Sequence, residues 1–541
     1  MIKNLNYRHV FIISLILFIP AYFINLGLLP FIPDEGIRSL VALEMKLSND
    51  FITPTLSGAL YFKKPPLYNW VIHLFFEMSG TYNEFWMRVP AVASIFFFTL
   101  TIYFVVKKEL GEKTAIITSI MFMTCGRLII YESLHGLIDI SYSWLTYISF
   151  IAIYKLYKRD KILYLFIFVY LISAVTYLMK GLPTVVFTGI TLFTFFIWKR
   201  KFKLLFNWKH FIGIGLFLVI VGGYYYLYFT KNQIQITELF GTLFTESSRR
   251  TGVRFGIIKT VLHLFSFPFE MIYHFLPWTL FVVFLIRKDF IKKLRENDFV
   301  HFNALIFFFN ILIYWFSVEV YARYLIMLVP LAFTVLVYFY ENRADNQMIL
   351  NKILVDIFFA ATMVIVFIAF IIASKFYPEI LSVKFYYIKI IILIIAIISI
   401  FIIFIKRKEL RIAIFLLFMF IFRLGFDWFV LPQRYQNTQD VHCREVAKNV
   451  GKTYQNEKLY TYWSPNVEPH PYYGKIITNY MFLFYLTASY QNIIEQTTEI
   501  ENNAIYLVQD RHFDKNKFEI IDTIPSCRGY NQVYVTNPIK R

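Results

Sequence analysis

Two short segments after the first apolar stretch place charged residues where they could do chemistry at a membrane surface. Asp34 and Glu35 follow that stretch directly, and further along Lys64 precedes Pro65 and Pro66. A carboxylate can orient a nucleophile or accept its proton. Because consecutive prolines stiffen the backbone, Lys64 projects from a defined surface and can pair with a lipid phosphate. The alternatives are a solvated loop carboxylate and a lysine that snorkels to the headgroups.

A third group of ionisable residues lies near the end of a later apolar segment. Glu132, His135 and Asp139 are spaced i, i+3 and i+7, so a continuous helix would present all three on one face. Ionisable groups at membrane depth are costly unless they are used. The spacing leaves two interpretations open, a metal site or a set of hydrogen-bonded structural groups.

The composition identifies a membrane protein. The chain has 541 residues, of which 58% are hydrophobic, 20% aromatic and only 16% charged, and a soluble protein of this size would carry more charge. A membrane-spanning helix needs about 20 apolar residues. Thirteen segments meet that requirement: 10–30, 88–106, 114–132, 138–156, 162–179, 183–198, 210–228, 271–286, 302–318, 323–340, 353–374, 385–405 and 412–430.

The positive-inside rule predicts the orientation of these spans. With the N-terminus in the cytoplasm, the loops on that side hold a large share of the Lys and Arg residues, and an odd number of spans places the C-terminal region outside. The net charge of +19 then reflects topology and gives no argument for a nucleic-acid partner. No small-residue cleavage site follows the first segment, so we expect a retained helix rather than a signal peptide.

Two domains are predicted. Residues 1–431 form the transmembrane domain, and its outer loops, about 31–87 and 229–270, form the site; helical spacing over 38–47 predicts a helix along the membrane interface. Residues 432–541 are more polar and predict a small α/β domain on the periplasmic side. Its strand-like runs are 458–462, 504–508 and 532–535, with helical or mixed patterns at 441–450 and 480–490.

Cysteine usage and missing motifs narrow the function. Cys125 lies within a span as an ordinary buried thiol, whereas Cys443 and Cys527 lie in the outer tail and could form a disulfide in an oxidising compartment. The sequence has neither the phosphate-binding loop G-x-x-x-x-G-K-[ST] nor the dinucleotide fingerprint G-x-G-x-x-G. An ATP-driven pump and a nucleotide-sugar enzyme are therefore disfavoured, whereas a lipid-linked donor fits.

Three segments resemble the signatures of the GT-C glycosyltransferases that use polyprenyl phosphates: Asp34-Glu35-Gly36-Ile37-Arg38, Glu44-Met45 and Tyr61-Phe62-Lys63-Lys64-Pro65-Pro66-Leu67. The nearest resemblance is to the bacterial aminoarabinose lipid A transferases, and a more distant one is to the protein O-mannosyltransferases. It covers roughly the first 330 residues. It implies an α-helical integral membrane protein of the GT-C fold, with about 13 transmembrane helices, interfacial helices in the first outer loop and a small C-terminal α/β domain.

The resemblance also extends to later motifs. Lys180-Gly181 with Pro183 resembles a Lys-Gly-Pro turn, Arg254-Phe255 and His263 resemble a basic segment of the second outer loop, and Tyr321-Ala322-Arg323-Tyr324 resembles an aromatic-basic motif before a helix that contains proline. A plain helix end at Lys180 and an interfacial aromatic belt at Tyr324 are the alternatives.

These matches imply a role for each site residue. Asp34 and Asp139 would be catalytic. Tyr61, Lys64, Arg38, Tyr324 and Arg254 would bind the carrier phosphate, and Glu35, Glu132, His135, Lys180 and His263 would support the site. Two positions depart from the pattern of the lipid A enzymes: Ile37 stands where the basic residue is usual, with Arg38 one later, and Lys63 replaces a Glu that can help to bind a metal. A divalent metal therefore stays an open requirement.

The function implied by the resemblance is transfer of a sugar from undecaprenyl phosphate, with inversion, to an acceptor on the periplasmic side of the bacterial inner membrane. Lipid A or another envelope glycolipid is the expected acceptor, membrane lipids are further partners, and a protein acceptor is the alternative within the same fold. A transporter or flippase for a lipid-linked sugar would bury charges midway through its spans. A glycan polymerase or ligase gives no reason for pairing Asp34-Glu35 with the Lys-Pro-Pro segment.

Overall fold

The structure is a computed structural model that describes residues 5–61, 63–233, 237, 241, 256–342, 346–468, 478–524 and 532–539. Helices dominate it. They are α1 Tyr7–Phe23, α2 Pro33–Leu47, α3 Leu67–Ser79, α4 Glu84–Leu110, α5 Glu112–Met123, α6 Gly126–Ile130, α7 Ile138–Lys158, α8 Ile162–Lys180, α9 Pro183–Trp198, α10 Trp208–Asn232, α11 Ile257–His274, α12 Phe290–Glu296, α13 Asp298–Trp315, α14 Val329–Glu341, α15 Asn346–Phe376, α16 Tyr386–Lys406, α17 Arg411–Gly425, α18 Leu431–Asn437, α19 Gln439–Thr453 and α20 Tyr480–Tyr490.

Short irregular helical turns and strands complete the list of elements. The 3₁₀ turns are Glu132–Leu134, Phe202–Phe206, Trp278–Leu285, Ala322–Leu325, Pro378–Ser382, Lys408–Leu410 and Asp510–His512, and Phe426–Val430 is a π-helical turn. The strands are β1 Thr55–Leu56, β2 Ala59–Leu60, β3 Lys458–Tyr462, β4 Gln496–Thr497, β5 Ala504–Gln509, β6 Phe518–Ile524 and β7 Val533–Pro538.

Apolar helices confirm a multi-pass membrane protein. Among the described residues, seven helices are long and apolar enough to span a bilayer, or eight if a bent pair counts as one span. The seven are Glu84–Leu110, Ile162–Lys180, Trp208–Asn232, Asp298–Trp315, Ile349–Phe376, Tyr386–Lys406 and Lys408–Asn437. Shorter apolar helices lie at Tyr7–Phe23, Pro183–Trp198 and Val329–Glu341. The number of thirteen spans stays a prediction.

Two predicted spans are not regular helices. Segment 114–132 is broken into α5 and a second helical piece, which are bent by 44°, and segment 271–286 is divided between α11 and a 3₁₀ turn. The two breaks meet, because the Gly126 N–H donates to the Leu276 carbonyl over 2.7 Å. A side chain on Gly126 would come within 2.9 Å of that carbonyl, and Pro277 lacks the N–H that a helix needs.

The C-terminal region folds into a five-stranded sheet of order β4-β3-β5-β7-β6. Strand β3 pairs in parallel with β4 and β5, whereas β7 pairs antiparallel with β5 and β6. The strands predicted near 458, 504 and 532 are confirmed, as are the helices near 441 and 480. Strand β6 was not predicted, because its five central residues are exposed and show no apolar alternation. The boundary at residue 431 stays a prediction.

The sheet domain packs directly on α2. Gly36 lies so close to α20 that an added Cβ would be 2.6 Å from the Met481 nitrogen. Phe31 stacks on Tyr485 with ring centroids 5.5 Å apart and donates its backbone N–H to the tyrosine hydroxyl. Cys443 is disulfide-bonded, whereas Cys527 lies outside the described residues, and Cys125 is a buried free thiol.

Candidate active site

Helix α2 begins at Pro33, and this start places Asp34 in its first turn. Proline is favourable at a helix start because its missing N–H has no intrahelical partner there, and the positive end of the helix dipole stabilises acidic side chains. The Asp34 side chain is 53% exposed, and its Oδ2 accepts a hydrogen bond of 2.9 Å from Nη2 of Arg323. The first predicted catalytic residue is therefore open to solvent and held by one cation.

Arg323 joins the two predicted catalytic carboxylates. Its 3₁₀ turn precedes α14, and its Nε lies 3.6 Å from Oδ2 of Asp139. The guanidinium also lies over the rings of Tyr321 and Tyr324, with its carbon 4.7 and 5.6 Å from their centroids. Arg323 has no role among the residues predicted from the sequence, since arginine beside tyrosine is common at a membrane interface.

Asp139 forms a second, buried ion pair. Its Oδ1 accepts a bond of 2.6 Å from Nζ of Lys180, and the two side chains are 6% and 9% exposed. The ammonium lies 4.5 Å from the ring centroid of Tyr324 and 4.7 Å from that of Tyr142. Helix α8 ends here because Gly181 adopts φ of +86°, a conformation that favours glycine. We call Asp34, Arg323, Asp139 and Lys180 the open cluster.

The Lys-Pro-Pro segment lies beside the open cluster. Lys64 is half-buried and close enough to act electrostatically on Asp139. It lines a narrow cleft together with Pro54, Tyr61, Pro65, Tyr224, Tyr225 and Tyr228. The ring of Tyr61 lies 5.7 Å from the guanidinium carbon of Arg38, whose buried Nη1 has no hydrogen-bond partner within the described chain. The structure thus brings Tyr61, Lys64 and Arg38 to one side of the site.

Glu44 positions this segment. Its carboxyl group accepts hydrogen bonds of 2.7 Å from the Thr55 hydroxyl, 2.7 Å from the Ser57 N–H and 3.2 Å from the Gly58 N–H. These bonds fix the β1–β2 hairpin to α2, and the chain runs from that hairpin into Tyr61 and Lys64. Burial raises the pKa of Glu44 to about 7, against the effect of these donors.

Glu35 belongs to a closed arrangement instead. It is fully buried, and Arg88 binds both carboxylate oxygens at 2.9 and 3.0 Å. The N–H groups of Gly136 and Ile32 donate to the same carboxylate. The remaining Arg88 donors go to the backbone carbonyls of Leu26, Leu29 and Pro30. We call Glu35 and Arg88 with these backbone groups the closed cluster, and it leaves Glu35 no room for a substrate.

Glu132, His135 and Asp139 do not lie on one continuous helix. Glu132 lies in a 3₁₀ turn, His135 is extended, and Asp139 lies in the first turn of α7. A Cβ added to Gly136 would lie 2.6 Å from the Met87 carbonyl oxygen, so the chain passes α4 too closely for a larger residue. Glu132 pairs with Arg127 at 2.6 Å, and Nδ1 of His135 lies 2.8 Å from the Tyr131 carbonyl. Burial lowers the pKa of His135 to about 4.

The remaining predicted site residue within the described ranges is His263. Nε2 of His263 is 3.4 Å from the carbonyl of Tyr314, whose ring stacks on Tyr324. Arg254 lies outside the described residues. Within the described ranges, no group of three or more His, Cys, Asp and Glu side chains could hold a metal ion.

Comparisons with known proteins show which sequences the chain resembles. Residues 63–226 match the dolichyl-phosphate-mannose-protein mannosyltransferase family. An uncharacterized protein of Aquifex aeolicus is 24% identical over 291 residues, which are 53% of this chain and 56% of the relative. The undecaprenyl phosphate-alpha-4-amino-4-deoxy-L-arabinose arabinosyl transferase of Shewanella sediminis is 26% identical over 221 residues, 38% of this chain and 39% of the relative. The chain thus spans about half the length, or less, of the curated relatives it matches.

The solved structures extend the likeness to the whole fold. ArnT from Cupriavidus metallidurans bound to undecaprenyl phosphate superposes with a TM-score of 0.63 at 15% identity, over 97% of both chains. The apo state of that protein matches equally well. The predicted fold class, helical spans with a small C-terminal sheet domain, is therefore confirmed. In sequence and in fold the chain resembles the GT-C glycosyltransferases.

Proposed function

We propose that the protein transfers a sugar from a polyprenyl phosphate, undecaprenyl phosphate in particular, to an acceptor on the periplasmic side of the bacterial inner membrane. The observation that carries this proposal is the open cluster beside Lys64. Three cations and two carboxylates converge there at one end of the helices, and one of those carboxylates is half exposed. Such a site suits a reaction in which a phosphate leaves and a proton is removed.

The cations would stabilise the leaving group. As the acceptor oxygen bonds to the anomeric carbon, the bond from that carbon to the phosphate oxygen breaks, and its electron pair stays on the phosphate. Negative charge grows on a phosphate monoester, and fixed cations such as Lys64 and Arg323 stabilise that charge. Attack from the face opposite the phosphate inverts the anomeric centre.

The two carboxylates would have different tasks. Asp34 is exposed and can accept the proton of an acceptor hydroxyl, which is general base catalysis. Asp139 is buried and neutralised by Lys180, so it suits the positioning of that lysine and of Arg323. If the acceptor is a phosphate of lipid A, the nucleophile is already ionised and Asp34 would orient it.

An apolar cavity supports a lipid-linked donor. It has a volume of about 520 Å³ and is lined by residues such as Phe267, Phe275, Trp315, Leu325 and Val329. Leu325 follows Tyr324 directly in the chain, so the cavity begins beside the open cluster. The isoprenoid chain of the donor would enter this cavity from the bilayer, where it meets no water, so close packing against these side chains would hold it.

Substitution of Asp34 by Asn tests the proposal. Turnover of undecaprenyl-phosphate-linked sugar by purified protein in detergent should fall at least about 100-fold, the scale of general base catalysis. Glu77→Gln is the matched control, because Glu77 is also a partly exposed carboxylate paired with one cation, Lys46. Normal turnover in Asp34→Asn would contradict the proposed role, and movement of the lipid-linked sugar across vesicles without transfer would identify a transporter.

The proposed orientation can be tested separately. The N-terminus is proposed to face the cytoplasm and the sheet domain the periplasm. In intact spheroplasts an impermeant thiol reagent should label Lys458→Cys but not Lys292→Cys, both of which are exposed positions. The reverse labelling pattern would place the open cluster on the cytoplasmic side.

A further inference from the structure

Arg323 holds the two carboxylates of the open cluster with unequal strength. Its bond to Asp34 ends on a side chain that is 53% exposed, and its contact with the buried Asp139 is longer, at 3.6 Å. Its buried Nε makes no hydrogen bond with any described residue. The guanidinium is thus placed within reach of both acids without being saturated by either.

The bond to Asp34 is the one that can be exchanged. Ion pairs with an exposed partner contribute about 0.2–1 kcal/mol, because water competes for both charges. Asp139 would not lose its charge partner if Arg323 moved, since Lys180 holds it at 2.6 Å in a buried setting. A phosphate group offers two or more oxygens to the fork of donors on arginine, which a single oxygen of Asp34 cannot match.

We propose that Arg323 restrains Asp34 in the absence of the carrier and releases it when the carrier phosphate binds to the guanidinium. The inference rests on the proposed function, because the phosphate in question is that of the polyprenyl carrier. While Oδ2 of Asp34 accepts the hydrogen bond from Arg323, that oxygen is occupied. Exchange of Arg323 from Asp34 to the phosphate therefore frees this oxygen for the acceptor only when a donor is present.

The exchange implies an order of events. The lipid-linked donor binds first, Arg323 turns to its phosphate, and the acceptor then meets an unrestrained Asp34. As the bond to the anomeric carbon breaks, the growing charge on the phosphate keeps Arg323 away from Asp34. Proton acceptance and leaving-group stabilisation are thereby coupled through one side chain.

A double-mutant cycle on binding tests this coupling without turnover. The affinity of the full chain in detergent for undecaprenyl phosphate is measured by titration calorimetry for the wild type, Asp34→Asn, Arg323→Gln and the double variant. Asp34→Asn should tighten binding by up to about fivefold, because Arg323 no longer has to leave an ion pair. Arg323→Gln should weaken it by about tenfold or more. In the Arg323→Gln background, Asp34→Asn should have no effect.

The remaining outcomes separate the inference from the proposed function. Equal tightening by Asp34→Asn in both backgrounds would show only the loss of a nearby negative charge and would overturn the inference. Unchanged affinity in Asp34→Asn would overturn it as well. No binding of undecaprenyl phosphate by the wild type would remove the proposed function and the inference with it. Arg323→Lys, which keeps the charge but not the fork, covers the case in which Arg323→Gln does not fold, and it should diminish the effect of Asp34→Asn.

Discussion

Asp34 and Glu35 are neighbours in the chain, yet they belong to two different kinds of ion-pair cluster. Among the described residues Asp34 has one cationic partner, Arg323, and about half of its side chain is exposed. Glu35 is fully buried, and Arg88 together with two backbone N–H groups saturates its carboxylate. The difference shows that two acids adjacent in sequence can have different surroundings. Asp34 and Glu35 differ in the number of hydrogen bonds they accept and in their exposure.

The closed cluster fixes the start of α2, the helix that carries Asp34 of the open cluster. Arg88 ties Glu35 to the carbonyl groups of Leu26, Leu29 and Pro30, which connect α1 to α2. The start of α2 is thereby fixed, and Asp34 keeps its position without needing strong bonds of its own. Glu35 is fully bonded within the protein, whereas about half of the Asp34 side chain stays exposed.

The largest expected effect is on the closed cluster. Arg88→Met should destabilise the protein by about 3–5 kcal/mol, because it leaves the Glu35 carboxylate buried without its partner. Denaturant unfolding in detergent measures the change. Lys46→Gln, on the helix that carries Glu35, is the control, since its pair with Glu77 is exposed on both sides and should contribute less than about 1 kcal/mol. A similar small loss for both variants would remove the distinction between the clusters.

A smaller effect is expected at the lysine beside the open cluster. Lys64→Ala should weaken undecaprenyl phosphate binding by about 1.5–3 kcal/mol, the size of a charge-assisted hydrogen bond. Lys63→Ala is the matched control, because Lys63 is adjacent but exposed. Calorimetric titration of both variants gives the comparison. Equal losses would show that the segment attracts the phosphate by overall charge rather than through Lys64.

The packing of α2 against the sheet domain gives a third test. Gly36→Ala should cost about 1–3 kcal/mol, because its Cβ would overlap the backbone of Met481 and force α20 away. Protease sensitivity of the sheet domain and the unfolding midpoint both report the loss. Gly223→Ala is the control, since a Cβ there meets open space. An unaltered Gly36→Ala protein would mean that the two parts adjust without strain.

The smallest expected effect is the pH dependence of stability caused by His135, the chain neighbour of Gly136 in the closed cluster. Burial lowers the pKa of His135 to about 4 from 6.5, so the unfolded chain takes up a proton at higher pH than the folded one. Stability should therefore be complete above pH 6.5 and fall as the pH drops towards 4, by about 1 kcal/mol for the first unit. Unfolding midpoints between pH 7.5 and 5.5 measure this fall. It should disappear in His135→Gln, and a persistent fall would assign it to other groups.

Sequence reasoning succeeded where residue type and local pattern were enough. Apolar length indicated a helical membrane protein, strand-like runs indicated β3, β5 and β7, and the resemblance to the GT-C glycosyltransferases singled out Asp34, Asp139, Lys180 and Lys64. The catalytic and binding roles of these residues stay predictions. Arg323 could not be recognised as the bridge, because the bridge exists only when α2, α7 and the 3₁₀ turn Ala322–Leu325 meet.

The sequence also could not separate Glu35 from Asp34. The partner of Glu35 is Arg88, 53 residues away on another helix, and no local pattern connects them. The close approach of Gly136 to the Met87 carbonyl is another contact between segments distant in the chain. Contacts of this kind decide the local structure near His135, and the i, i+3 and i+7 spacing does not reveal them.

The contact between α2 and the sheet domain can form only after most of the chain has been synthesised. Phe31 and Tyr485 contact each other although 454 residues separate them, and at about 5–20 residues per second a ribosome needs roughly 20–90 s to synthesise that interval. During this time α2 has left the ribosome without the surface that later covers it, and its apolar face rests on the membrane interface. Helix α2, which carries Asp34, is therefore synthesised early, but its contacts with the sheet domain form only near the end of synthesis.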